Sequence, residues 1–134
     1  MKYFNTTLLI IVFSLLILSA CKKEPGIGGD ASIRGNIFVK HYNTTFTQFI
    51  SQYEGADIYV YLVYGNNVDY GTRIKSNYNG DFEFKYLYKG NYKVYVYSLD
   101  STLQEPSGRV PVIKEIEITE RKQVMDLDTI KIFN

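Results

Sequence analysis

The chain has no tryptophan, one histidine, one cysteine and three prolines, and each shortage removes a class of protein. A single cysteine cannot form an internal disulfide, so packing alone must hold the fold. His41 alone cannot build an imidazole zinc centre, and acids at the close, regular spacing of a calcium loop are missing. An excess of one charge is lacking as well. Lys plus Arg is 15 and Asp plus Glu is 14; Lys2 is the only charged side chain before Cys21, which leaves 14 of each sign from there on. The densest basic spots, "CKKE" and "ERKQ", each contain a glutamate, so the clustered cations that release counterions from nucleic acid are absent. No apolar stretch is long enough for a membrane span. The longest, residues 8–18 ("LLIIVFSLLIL"), covers about 16 Å at ~1.5 Å per residue, against roughly 30 Å of hydrocarbon. Helical periodicity is missing too, except in "TTFTQFISQY", where Phe46, Phe49 and Ile50 would share one side of a single turn.

What is there begins with that short apolar run. It follows a polar start carrying Lys2 and has the length of a signal-peptide core. Leu18, Ser19, Ala20 and Cys21 come next. This tetrad resembles the bacterial lipobox, a branched apolar residue and two small ones before the cysteine that becomes the mature amino terminus. The resemblance implies that residues 1–20 are removed and that Cys21 carries palmitate-type acyl chains. One chain holds only marginally at about 0.8 kcal/mol per buried methylene, so two or three make a durable anchor. Lys22 stands where an inner-membrane retention signal has aspartate, which implies a lipoprotein of the bacterial outer membrane, on either of its faces. "KKEPG" is similar to the short charged tags that carry lipoproteins of the Bacteroidetes to the cell surface. "EPGIGGD", with one proline and three glycines, reads as a flexible tether over residues 21–30, so the ordered domain is expected over 31–134.

The rest of the chain is 46% hydrophobic and 16% aromatic overall, a globular composition sufficient for one domain. Its apolar residues alternate. Ile33, Gly35, Ile37 and Val39 point one way in "SIRGNIFVK"; Ile58, Val60 and Leu62 oppose Asp57, Tyr59 and Tyr61 in "ADIYVYLVY". Tyr70, Thr72 and Ile74 are in phase, and Phe82 and Phe84 share a face. Asn79-Gly80 between two extended runs predicts a hairpin with a type I′ turn. Beyond Lys89-Gly90, Tyr92, Val94 and Val96 alternate with Lys93, Tyr95 and Tyr97. "RVPVIKEIEI" and "VMDLDTIKIF" complete the set, the first starting at an edge or bulge because Pro111 has no N–H to give. Seven strands in this length predict an all-β, antiparallel Greek-key sandwich. The conformation of residues 40–54 is left open.

"GADIYVYLVY", "TRIKSNYNGDFEFKYLYKGNYKVYVYS" and "MDLDTIKIF" together resemble the carboxypeptidase regulatory-like, or transthyretin-like, module. Gly80, Phe82, Phe84, Leu87, Gly90, Tyr92 and Val94 stand at the positions of that family's pattern. The resemblance implies the sandwich and leaves the activity open, because such modules serve many roles. Enzymes of related architecture need at least two histidines, and this chain has one. No nucleophile elbow is present, and Cys21 is consumed by lipid. Asp126 and Asp128, two apart on a strand, share a face suited either to a cation or to solvent. No catalytic residue, metal or cofactor is therefore expected.

Tyrosine remains, with 13 in the chain. Tyr59, Tyr61, Tyr95 and Tyr97 lie opposite the aliphatic sets of their strands and would form one patch if those strands share a sheet. Such a patch binds a partner, or it merely covers cross-strand neighbours. The expected role is thus a non-catalytic, membrane-anchored module for an envelope protein or a glycan. The alternative is a structural or adhesin-type subunit assembling through its sheet edges.

Overall fold

The computed structural model describes residues 23–134, so residues 1–20, with Leu18, Ser19 and Ala20, and the acylation candidate Cys21 lie outside the described residues. Eight strands follow in order: β1 Ile27–Tyr42, β2 Phe49–Glu54, β3 Tyr59–Tyr64, β4 Thr72–Lys75, β5 Asp81–Leu87, β6 Gly90–Leu99, β7 Arg109–Ile118 and β8 Val124–Phe133. They form a β-sandwich. In one sheet β1 is central, with β8 along one side and β5 then β2 along the other; the second sheet runs β4-β3-β6-β7. The second sheet is antiparallel throughout. In the first, β8 runs parallel to β1, which departs from a purely antiparallel sandwich.

The expectation of seven strands is one short. Residues 49–54, read as part of a possible helical turn, form β2 against the far end of β1, and all six are exposed. With Phe46, Phe49 and Ile50 so close in sequence, the period alone cannot separate a turn of helix from a short strand. The loop before it is closed by Asn43, whose Oδ1 accepts the N–H groups of Thr47 and Gln48. The first strand also starts earlier than the tether reading of residues 21–30 allows. Ile27 is paired with Leu87, and Gly26 N–H donates to the Tyr92 hydroxyl at 2.9 Å, so the glycines enter a strand once a neighbour supplies partners.

β1 changes partner at Ile37. Its N–H donates to the Gly80 carbonyl and its carbonyl accepts from Gly55 N–H, both at 2.8 Å, so β5 ends and β2 begins at one residue. Both glycines are required there. A Cβ on Gly55 would lie 2.5 Å from Ile37 Cγ2, and Gly80 has φ +79° with its missing Cβ directed at the Ile37 carbonyl. The predicted Asn79-Gly80 hairpin does not form. β4 and β5 lie in different sheets, and only Gly80 of the two residues has positive φ. Asn77 Oδ1 instead accepts from Asn79 and Asp81 N–H, shaping a loop that carries the chain across the sandwich.

Ile33, Ile37, Val39, Phe82, Phe84, Leu87, Ile130 and Ile132 of one sheet meet Val60, Leu62, Tyr92, Val94, Val96, Ile116 and Ile118 of the other. Burying each large aliphatic or aromatic side chain contributes ~1.5–3 kcal/mol. In β8 the half-buried Leu127 is followed by buried Ile130, a spacing of three that strict alternation forbids. A bulge accounts for it: Arg34 faces Asp126, Asn36 faces Thr129, and Asp128 between them has φ +55°. β7 is an edge strand, which accommodates Pro111.

Candidate functional site

β3 and β6 are hydrogen-bonded neighbours with Tyr61 opposite Tyr95, so the outward tyrosines of both strands fall on one surface. Tyr61 and Tyr95 stack at 4.8 Å between ring centroids, 5° from parallel. Tyr97 meets both edge-on, 5.7 Å from Tyr61 and 5.5 Å from Tyr95. Tyr59 lies 6.3 Å from Tyr61. All four sequence-selected tyrosines are therefore brought together on one face. Tyr59 and Tyr97 remain 42% and 44% exposed, whereas Tyr61 and Tyr95 are half-buried. Burial, with the neighbouring Tyr97 and Tyr61, raises the Tyr95 phenol above its ordinary pKa.

Three members were not anticipated. Tyr70 was placed in phase with Thr72 and Ile74, yet it precedes β4 and packs edge-on against Tyr61 at 5.1 Å. Arg73 and Lys75 stand over the Tyr59 ring at 4.6 and 4.9 Å. Their signal was available in "TRIK", where they alternate with Thr72 and Ile74. What was missing was the register that sets Arg73 beside Tyr61 and Lys75 beside Tyr59. On the opposite flank Ile113 faces Tyr95 from β7 and is 52% exposed. Cations thus border the rings on one side and an aliphatic residue on the other.

A cleft of about 240 Å³ opens at the edge of this platform, lined by Tyr59, Tyr61 and Tyr97 with Asp57, Arg109 and Asn134. Asp57 is paired with Lys75 at 2.8 Å. Buried Ser98 secures the cleft from behind: its Oγ accepts Phe133 N–H at 2.9 Å and donates to the Leu99 carbonyl, tying the two sheets together. The lone His41 lies at the end of β1 against the Asn134 carbonyl. Next to it Tyr42, Phe46, Phe49 and Phe133 form a second aromatic cluster, with ring centroids 5.6–6.0 Å apart.

The cleft is at the pole away from the amino-terminal side. Pro25 lies beside Gly65 and Gly90, where β3 ends and β6 begins, whereas Tyr59 and Tyr97 lie toward the other ends of those strands. From Ala31, where β1 becomes continuously extended, to its end at Tyr42 the strand runs about 36 Å at ~3.3 Å per residue.

Asp126 and Asp128 do not form a cation site. Asp126 Oδ1 accepts Asp128 N–H and Oδ2 accepts from Arg34 Nε at 3.0 Å, so the first carboxylate is committed. Among the described residues no group of three or more metal-ligating side chains occurs.

No family model and no curated protein matches the chain. Among solved structures, a Pseudomonas aeruginosa protein described as a "putative carbohydrate binding protein" is similar, with a TM-score of 0.46 and 12% identity over 87% of this chain and 94% of that one.

Proposed function

We propose that this chain is a non-catalytic binding module of the bacterial outer membrane, held by acyl chains on Cys21 and binding a glycan in the Tyr59–Tyr97 cleft. The observation that carries this reading is the cleft: three tyrosines and the polar groups of Asp57, Arg109 and Asn134 converge on one opening. Sugar rings present apolar faces that stack on Tyr and hydroxyls that hydrogen-bond at its rim, and Tyr supplies both contacts at little entropic cost. Its place at the pole remote from Pro25 directs it away from a bilayer that held Cys21. The carboxypeptidase regulatory-like assignment belongs to this proposal. It rests on Phe82, Phe84, Leu87, Tyr92 and Val94, whose burial matches the packing role such a pattern requires.

Tyr59→Ala combined with Tyr97→Ala tests the cleft. Loss of retention on a polysaccharide array with a nearly unchanged melting curve, lowered only by the lost ring pairs, supports it, and undiminished retention overturns it. Palmitate labelling of the wild type and of Cys21→Ala tests the anchor. A second reading, assembly through sheet edges, is favoured by β2, whose outer edge pairs with no strand among the described residues and whose residues are all exposed. It predicts a mass that grows with concentration in light scattering, and a strictly monomeric protein at high concentration removes it.

A further inference from the structure

On the tyrosine face most charges cancel locally. Lys75 pairs with Asp57 and Lys93 with Glu115. Two arginines do not: among the described residues neither Arg73 nor Arg109 forms an ion pair. They bracket the platform from opposite edge strands, Arg73 on β4 beside Tyr61 and Arg109 at the start of β7 beside Leu99. Three strand steps of ~4.8 Å and four residues of ~3.3 Å set them about 20 Å apart along a diagonal that crosses Tyr61, Tyr95 and Tyr97. The Arg73 guanidinium lies over the Tyr59 ring with one N–H directed at the Tyr61 hydroxyl, and of its five N–H donors others remain to meet a carboxylate.

We propose that the ligand is an anionic polysaccharide, a chain of uronate-type sugars whose rings stack on the tyrosines while carboxylates at separate points engage Arg73 and Arg109. The inference rests on the glycan reading of the cleft and adds its charge and length. A single sugar cannot bridge both arginines; an extended chain with repeated carboxylates can. Residual positive charge at both ends and tyrosine rings between them complement such a ligand and offer nothing extra to an uncharged one.

The test compares retention of the full chain on immobilised polygalacturonate and on neutral dextran. Expected is retention on polygalacturonate that weakens as salt rises, with little on dextran. Arg73→Gln and Arg109→Gln, both at exposed positions, should each weaken polygalacturonate binding about tenfold and flatten its salt dependence without moving the melting curve. Tyr59→Ala with Tyr97→Ala should abolish it. Equal retention on both polymers, or glutamine variants that bind as the parent does, overturns the anionic ligand while the glycan cleft stands. Retention on neither polymer overturns both.

Discussion

Tyr92 and Tyr95 are three residues apart on β6 and serve opposite ends. Tyr92 points into the sandwich, is 1% exposed, and its hydroxyl is held by backbone: it donates to the Tyr88 carbonyl at 2.7 Å and accepts from Gly26 N–H. That one oxygen fastens the residue before β1 to the turn between β5 and β6. Tyr95 points outward among other tyrosines, with no backbone partner for its hydroxyl among the hydrogen bonds of the described residues. A buried phenol must be satisfied and becomes a fastening; a half-exposed one keeps a polar tip for something outside.

The contrast is broken most strongly at Tyr92. Tyr92→Ala should cost about 4 kcal/mol in urea unfolding. Tyr92→Phe should cost about 1–2 kcal/mol, because Gly26 N–H and the Tyr88 carbonyl lose their partner. A Phe variant as stable as the parent would show that the ring alone matters. Ser98→Ala, which orphans Phe133 N–H between the sheets, should cost about 1.5 kcal/mol by the same measurement. Tyr61→Ala should cost only about 1 kcal/mol, the loss of its ring pairs, while reducing glycan retention. A larger stability loss would move Tyr61 to the structural side of the comparison.

Two pH effects refine it further. Asp100 accepts from the Thr102 hydroxyl and from the N–H groups of Glu105, Thr102 and Gln104, which hold its carboxyl well below the usual range. Its folded pKa is depressed, so its contribution is complete above the unfolded value of about 4 and declines as pH falls below it. Acid titration of stability should show a loss there that Asp100→Asn lacks. Tyr95 has the reverse sign: its raised pKa stabilises the fold up to about pH 10, and that contribution is lost as pH rises further. A melting series across that range should steepen less in Tyr95→Phe, the smallest change expected.

Strand phase was legible because alternation reports which face is buried regardless of the neighbour. Ile33, Ile37, Val39, Val60, Leu62, Tyr92, Val94 and Val96 all lie in the core on the faces expected of them. Pairing was not legible. Asn79-Gly80 carries the local chemistry of a hairpin, yet which sheet the next strand joins depends on Ile37 offering its N–H to Gly80 from a distant part of the chain. Residues 49–54 become a strand only because β1 extends past β5 and leaves a free edge. Arg73, Lys75 and Tyr70 reached the candidate site through strand register and loop packing, neither of which has a local signature.

By itself the sequence determined that the domain is all-β, which side chains face inward, and that tyrosines occupy the outer face of two strands. These follow from side-chain size and a period of two, properties that neighbouring residues share. The tertiary structure alone decided that the two tyrosine strands lie side by side, that arginines border them and that a cleft opens at their edge. The reason is that strand pairing satisfies backbone groups far apart in the chain, and those groups are chemically the same at every residue.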